Sequence, residues 1–349
     1  MPLRAFHLSF SLAPLAAATA LIATLIAAPG FAASEVNVYS ARKEALIKPL
    51  LDRFSQETGV TVNLVTADGD ALLTRLQREG RNSPADVLIT TDAGRLYRAQ
   101  EAGVLQSIDS PLLREVIPSH LRSEEDYWFG LSVRARVFVY APDRVNPAEL
   151  GSYQDLADPR WRKRVCIRSS SNIYNQSLVA SMIANEGMEK TQAWLNDFVA
   201  NFARPPQGGD RDQIKAVAAG QCDVAVVNSY YLGAMLTSDD AAERAAAEKV
   251  VLYWPDQSGR GTHINVSGAA VTAAAKHRAE AIRLIEFLVG KESQRWYAEA
   301  NAEYPVRPGV EPSALLASWG EFKADPLNVT ELGRLNAEAV MAMDRAHWR

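Results

Sequence analysis

The sequence predicts an α/β protein whose two lobes are joined by two extended crossings of the chain. Its 349 residues exceed what one small core requires, so two domains are expected. Between residues 36 and 102, short apolar segments alternate with amphipathic ones, which is the order that produces a parallel sheet. The β-prone stretches 127–140 and 264–271 interrupt this order and suit a pair of hinges. A cleft between the lobes follows, and closure about the hinges is its natural motion.

The first lobe is expected to comprise residues 34–133 and 264–305. Ser40 is expected to cap its first helix, with Glu44 in the first turn. Helices at 278–289 and 292–301 are expected after the second crossing. Apolar periodicity and turn residues predict the earlier elements in chain order: strand 36–39, helix 45–57, strand 60–65, helix 72–80, strand 87–89 and helix 95–102.

The second lobe is expected to comprise residues 134–263. The C-terminal segment 306–349 is expected to end in a helix over 332–347, and the sequence assigns this segment to neither lobe. The elements predicted for the second lobe are a strand within 161–167, helices 176–186, 191–201 and 212–219, a strand that begins at Cys222 and a strand at 250–253.

Residues 1–33 have the features of a secretory signal peptide. Arg4 supplies a positive charge, residues 13–28 are almost wholly apolar, and small residues place cleavage near Ala32 or Ala33. A membrane anchor is the alternative, but the apolar core is short for a span. We therefore expect an exported protein of the periplasm that is not stably inserted in the membrane.

The two cysteines, Cys166 and Cys222, are expected to form a disulfide. An even number of cysteines in an exported protein favours a bridge, with two free buried thiols as the alternative. Each cysteine belongs to a short apolar segment, so neighbouring strands can bring them together. A bridge would then hold the loops that follow those strands at a fixed spacing.

Composition and motifs argue against several function classes. The net charge of −4 gives no reason to expect a nucleic-acid surface. The sequence contains no nucleophile elbow, P-loop or dinucleotide fingerprint, so we do not expect an enzyme. The five histidines show no metal-ligand spacing.

Three tyrosines follow predicted strands. Residues 222–233 begin as an apolar run and end in a polar turn that carries Tyr230 and Tyr231, while Tyr174 follows the polar residues after the strand at 161–167. Ligands of open α/β sheets bind outside the carboxyl ends of strands, so these phenols are placed to meet one. A Tyr-Tyr pair taken alone is more often a packing feature.

The chemistry of these side chains favours ferric iron. Phenolate is a hard anionic oxygen donor, and three phenolates neutralise the charge of Fe(III). Because tyrosine ordinarily titrates near pH 10, the metal has to displace protons, and affinity has to fall as pH falls. Further coordination positions need an anion or water. Arg42, after the first predicted strand, is a plausible partner for such an anion.

Two other groups of polar residues leave alternatives open. Residues 169–172, Ser-Ser-Ser-Asn, offer hydroxyl and backbone N–H donors to an oxyanion, which favours a solute-binding protein for an oxyanion or small organic molecule. Arg134 and Arg136 either line the hinge near the cleft or lie solvated on a strand edge.

The sequence resembles the periplasmic ferric-iron-binding proteins of ABC transporters, also called bacterial transferrins. The resemblance covers nearly the whole mature chain, and its Asn-Ser-Tyr-Tyr and Asn-Ile-Tyr-Asn motifs are fairly specific. The matching stretches are 36–42 (VNVYSAR), 83–88 (SPADVL), 172–175 (NIYN), 206–212 (PQGGDRD) and 228–231 (NSYY).

This resemblance implies a two-lobed type II periplasmic-binding-protein fold with two hinge crossings. It implies that Tyr174, Tyr230 and Tyr231 bind Fe(III), that Arg42 contacts a synergistic anion such as carbonate, and that the iron passes to an ABC permease and its ATPase. The cysteine pair is similar to a disulfide of some members. A monomer that performs no catalysis is expected.

The sequence departs from the family pattern after the first strand. Several members carry a histidine there, some with a neighbouring tyrosine, whereas this chain has Lys43 and Glu44. It therefore resembles the subclass that uses three tyrosines and an exogenous anion. Glu44 as a substitute ligand is the alternative, and its ordinary interpretation is a charge in the first helical turn.

Overall fold

The computed structural model describes residues 1–3, 5, 7 and 34–349. The predicted cleavage site and nearly all of the predicted signal peptide lie outside these residues. Residues 34–349 belong to one compact unit. Within the described ranges, no helix has the length and apolar character to cross a bilayer.

The N-terminal part of this unit alternates strands and helices, as predicted. One detail differs: Ser40 does not cap a helix, because it is the last residue of β1 and its hydroxyl accepts a hydrogen bond from the Arg42 N–H (3.2 Å). A short 3₁₀ turn, Glu44–Leu46, comes next, and Pro49 sits in the first turn of α1, where its missing N–H costs nothing. The elements are β1 (Glu35–Ser40), α1 (Lys48–Thr58), β2 (Thr61–Thr66), α2 (Gly69–Glu79), β3 (Val87–Thr91), α3 (Ala93–Glu101), β4 (Leu105–Gln106), α4 (Pro111–Val116) and β5 (Phe129–Tyr140).

The remaining elements include a second alternating set and a helical C-terminus. They are β6 (Val165–Cys166), α5 (Ile173–Glu186), α6 (Met188–Ala200), α7 (Asp210–Ala218), β7 (Val224–Asn228), α8 (Ser229–Leu236), α9 (Ala241–Ala247), β8 (Val251–Tyr253), β9 (Ile264–Thr272), α10 (Arg278–Leu288), α11 (Lys291–Asn301), β10 (Tyr304–Pro305), α12 (Ala314–Ser318), α13 (Thr330–Arg334) and α14 (Asn336–Arg345).

The strands follow the order β2-β1-β3-β9-β5-β7-β6. β1 pairs in parallel with β2 and β3, which confirms the parallel sheet predicted from the alternating segments. The long strand β5 pairs antiparallel with β9 over its first half and with β7 from Arg136 onward. Both predicted crossings are therefore neighbouring strands at the centre of the fold, and β5 runs from one α/β set into the other.

Two apolar clusters flank this central region. One contains Val38, Leu88 and Val266 and extends along β5, and the other contains Phe138, Trp194 and Trp348. Helix α14 packs against α5 and α6, so the end of the chain lies on the second cluster, while α13 contacts both α3 and α5.

Candidate metal centre

Tyr230 and Tyr231 lie where β7 turns into α8. All five residues of β7 are buried, and Asn228 takes an extended conformation (φ −78°, ψ 136°) that ends the strand before the helix starts at Ser229. Asp210 accepts a hydrogen bond from the Asn228 N–H (3.0 Å), which fixes this strand end. The prediction that the two tyrosines leave the carboxyl end of a strand and open a helix is confirmed.

Tyr174 reaches the same edge from the neighbouring strand. Its helix starts at Ile173, three residues earlier than predicted, because the Asn172 side chain caps the helix by accepting from the Tyr174 N–H (3.1 Å). β6 and β7 are parallel neighbours, so the loops that follow them emerge at one edge of the sheet. The predicted disulfide is present: Cys166 and Cys222 are bonded, with their Cα atoms 5.8 Å apart.

The three phenols converge. The hydroxyl oxygens of Tyr230 and Tyr174 are 3.4 Å apart, and the ring centroids of Tyr230 and Tyr231 are 4.2 Å apart. Burial raises the pKa of Tyr230 well above its usual value, and negative charge on Tyr174 and Tyr231 raises it further. Burial likewise raises the pKa of Tyr231. Without a cation the protein therefore holds Tyr230 and Tyr231 protonated at neutral pH.

Arg42 faces the tyrosines from the end of β1. It lines the same cavity of about 340 Å³ as Tyr174, Tyr230 and Tyr231. Its Nη2 donates to Glu303 Oε2 (2.8 Å), and its Cζ lies 5.3 Å from the ring centroid of Tyr297. Burial opposes the charge of the guanidinium, but Glu303 outweighs burial and raises the pKa of Arg42.

Two donors of the Arg42 guanidinium remain free. Its Nε and Nη1 have no hydrogen-bond partner among the residues that the structure describes, although the residue is only 4% exposed. Unpaired buried donors are costly, so a guanidinium of this kind in a cavity wall is suited to an oxyanion ligand. The structure thus brings all four residues predicted for iron and anion into one cavity.

Other charged residues complete the surroundings. Lys43 and Arg211 also line the cavity, and the Arg211 guanidinium donates to Glu243 (2.7 Å). Glu44 is exposed at the start of its 3₁₀ turn and is not part of the cavity wall. Glu303 escaped the sequence analysis because it lies 261 residues from Arg42 in the chain and no local pattern links them.

The hinge arginines are buried, which excludes the solvated alternative. Arg134 and Arg136 are 2% and 1% exposed. Arg136 pairs with the buried carboxylate of Asp210, which Arg168 also contacts (2.7 Å). The Cζ atoms of Arg134 and Arg168 lie 5.4 and 5.7 Å from the Tyr174 ring centroid. Two guanidinium groups thus lie close to the Tyr174 ring.

The alternative anion site at residues 169–172 has a different environment. The hydroxyls of Ser169 and Ser171 bond each other at 3.0 Å, and Ser171 is exposed. In the described part of the chain, no three His, Cys, Asp or Glu side chains cluster closely enough to hold a metal. The tyrosine cavity is consequently the better candidate for a metal centre.

Comparison with known proteins agrees with this fold. Residues 82–319 match the sequence profile of the bacterial extracellular solute-binding proteins. Iron uptake protein A1 of Synechocystis is 48% identical over 90% of this chain and 88% of that protein. A solved Trichodesmium FutA structure with iron and citrate ligands has a TM-score of 0.88 and 49% identity, over 90% of this chain and all of that one.

The ferric binding protein from Campylobacter jejuni has a TM-score of 0.86 and 36% identity, over 90% of this chain and all of that one. These likenesses confirm the predicted two-lobed type II periplasmic-binding-protein fold. The chain belongs to the family of bacterial extracellular solute-binding proteins.

Proposed function

We propose that this chain captures Fe(III) in the periplasm through the phenolates of Tyr174, Tyr230 and Tyr231 and delivers it to an ABC importer. The observation that carries the proposal is the convergence of three phenols and a buried arginine with free donors in one cavity. The names of its relatives, which include iron uptake and ferric iron-binding proteins, support iron as the cargo.

Charge balance supports three tyrosinates. The raised pKa values of Tyr230 and Tyr231 mean that both phenols are uncharged in the absence of metal, so no repulsion between their phenolates opposes the iron-free state. A trivalent cation offsets three phenolates, so the proton loss and the metal binding are one coupled event.

An exogenous anion completes the coordination in this proposal. The free Nε and Nη1 of Arg42 are charged donors on separate edges of the guanidinium, and each can donate to an oxygen of a carbonate or carboxylate. The cavity, about 340 Å³, also admits a larger polycarboxylate, and Lys43 and Arg211 add positive charge to its wall. Carbonate is the anion proposed first, and citrate, present with iron in the Trichodesmium structure, is the second.

Transport, without catalysis, is the role that the family supports. Its members bind solutes outside the cytoplasm, and the relatives from Serratia marcescens and Salmonella typhimurium are named as periplasmic proteins. The proposed partners are the permease and ATPase of an importer, which a monomeric carrier would reach by diffusion. Export through a cleaved signal peptide belongs to the same proposal.

An oxyanion or small organic solute without iron is the second candidate. A relative that is 24% identical is named as a 2-aminoethylphosphonate-binding protein, and the free donors of Arg42 suit a phosphonate as well as a carbonate. The two candidates differ in whether the tyrosines carry charge in the complex.

Visible absorption distinguishes them. Iron-free mature protein is titrated with ferric citrate in bicarbonate buffer, and a tyrosinate-to-iron charge-transfer band is expected. Tyr230→Phe and Tyr231→Phe should weaken or shift the band, whereas Tyr127→Phe, at a half-buried tyrosine outside the cavity wall, should leave it unchanged. No band with any anion would refute iron binding and favour the second candidate.

A further inference from the structure

A second and smaller cavity lies behind Tyr174, at the two crossing strands. Its volume is about 10 Å³, the scale of a single water-sized ligand. Arg134 and Arg136 of β5 and Asn228 at the end of β7 line it. His263 and Asn265, from the chain entering and forming β9, complete the wall together with Asp92.

The wall contains several hydrogen-bond donors that have no acceptor. Nε and Nη2 of Arg134, Nε of Arg136 and Nδ2 of Asn228 are buried and have no partner within residues 34–349. The three side chains are at least 97% buried, since their exposures are 2%, 1% and 3%. Each unpaired buried donor costs about 1–3 kcal/mol, and a donor on a charged group costs more, so four in one place indicate a ligand.

Two acceptor groups of the same wall are already used. Asn265 Oδ1 accepts from the N–H groups of Ala93 and Val266 (2.9 and 2.8 Å). The Asp92 carboxylate accepts from Gly94, Ser177 and Asn265 (each 2.8 Å). A ligand in this cavity therefore meets donors in excess.

The charges around the cavity balance. Four guanidinium groups, those of Arg134, Arg136, Arg168 and Arg260, are matched by four carboxylates, those of Asp92, Asp210, Asp256 and Asp325. It is therefore the unpaired donors, and not a net charge, that favour an anion in this cavity.

We propose that this hinge cavity binds a single halide ion, which is chloride under physiological conditions. A water molecule accepts only two hydrogen bonds and would leave two of the four donor atoms without a partner. A halide accepts from several donors and donates nothing, so it satisfies Arg134, Arg136 and Asn228 together. It is distinct from the anion proposed at Arg42, which lies in the other cavity.

Binding of a halide at this position should have a structural consequence. Its donors belong to β5 and to the end of β7, and its cavity is closed by residues at β9, so one ion joins both crossings to the strand that carries Tyr230 and Tyr231. Occupancy should therefore stabilise the hinge with the lobes in the arrangement described here.

The test uses bromide as the probe and requires no iron. Crystals of the unmodified mature protein are grown in sodium bromide, and an anomalous difference map is measured at the bromine K edge. We expect a peak within hydrogen-bonding distance of Arg134 and Asn228. A cavity with no anomalous peak in saturating bromide, whether it holds water or nothing, would overturn the proposal.

A solution experiment gives an independent readout. At constant ionic strength, replacing gluconate by bromide should raise the Tm of the iron-free protein, because an ion that binds only the folded state stabilises it. Arg134→Gln should abolish this rise, and Arg122→Gln, which alters a half-buried arginine paired with Asp126, should retain it. If Arg134→Gln retains the full bromide-dependent rise, the assignment is wrong. Should Arg134→Gln fail to fold, the bromide map on the unmodified chain still decides.

Discussion

Glu303→Gln tests whether the buried ion pair between Arg42 and Glu303 stabilises the part of the cavity where the anion is proposed to bind. The side chains of Arg42 and Glu303 are only 2% and 5% exposed, and their N–O distance is 2.8 Å. Removing one partner of a buried ion pair costs about 3–5 kcal/mol, because the remaining charge stays buried without compensation. We expect the free energy of unfolding of the iron-free variant to fall by that amount, measured by urea denaturation with tryptophan fluorescence.

Iron and its anion should reduce this loss. An anion at a free donor of Arg42 supplies part of the negative charge that the variant lacks. The difference between variant and wild type should therefore be smaller in the iron–carbonate complex than in the iron-free protein. By linkage, a ligand that compensates the buried charge stabilises the variant more than the wild type.

A matched control separates this effect from the loss of any ion pair. Glu292→Gln removes a pair with Arg295 whose side chains are 66% and 56% exposed, and it should cost less than about 1 kcal/mol. If Glu303→Gln costs no more than Glu292→Gln, the buried pair does not hold Arg42 in place. Equal losses with and without iron would contradict the placement of the anion at Arg42.

Three further predictions concern the disulfide, the tyrosines and a buried carboxylate. Replacing Cys166 and Cys222 by alanine removes a bridge across 56 positions and should lower the unfolding free energy by about 4 kcal/mol in the chain-entropy model, measured by denaturation; a change below about 1 kcal/mol would contradict it. Iron affinity should fall with decreasing pH by up to about three decades per pH unit, because three phenols release protons, and a pH-independent affinity in a competitive chelator titration would refute tyrosinate ligation. Burial raises the pKa of Asp86, but hydrogen bonds from His277 and Asn37 outweigh it and hold the pKa below its usual range. Its stabilising contribution should thus be complete above about pH 4 and lost as pH falls further, and Asp86→Asn should flatten this part of the stability curve.

The sequence predicts those features of the site that depend on local patterns. The apolar run before Tyr230 identifies a buried strand, and the polar turn after it places the phenols at the strand end. Arg42 is found in the same way, from its position after β1. The even number of cysteines in a chain that is expected to be exported is enough to predict the bond between Cys166 and Cys222.

Features that depend on contacts between distant residues escape this reasoning. The partner of Arg42, Glu303, comes from the turn before β10, and Asp210 fixes the end of β7 from the start of α7. The prediction that Ser40 caps the first helix is wrong because a 3₁₀ turn follows β1, and α1, with Pro49 in its first turn, begins only after that turn. Arg134 and Arg136 are buried because β5 pairs with both β7 and β9, and no single segment of the sequence encodes that arrangement.

A crystal structure of the iron-loaded protein, with an anomalous difference map at the iron K edge, would locate the metal and its ligands. Ligation by the three tyrosines predicts one peak at coordination distance from the hydroxyl oxygens of Tyr174, Tyr230 and Tyr231, with an anion between the metal and Arg42. An iron peak elsewhere in the protein, or coordination that omits these tyrosines, would contradict it.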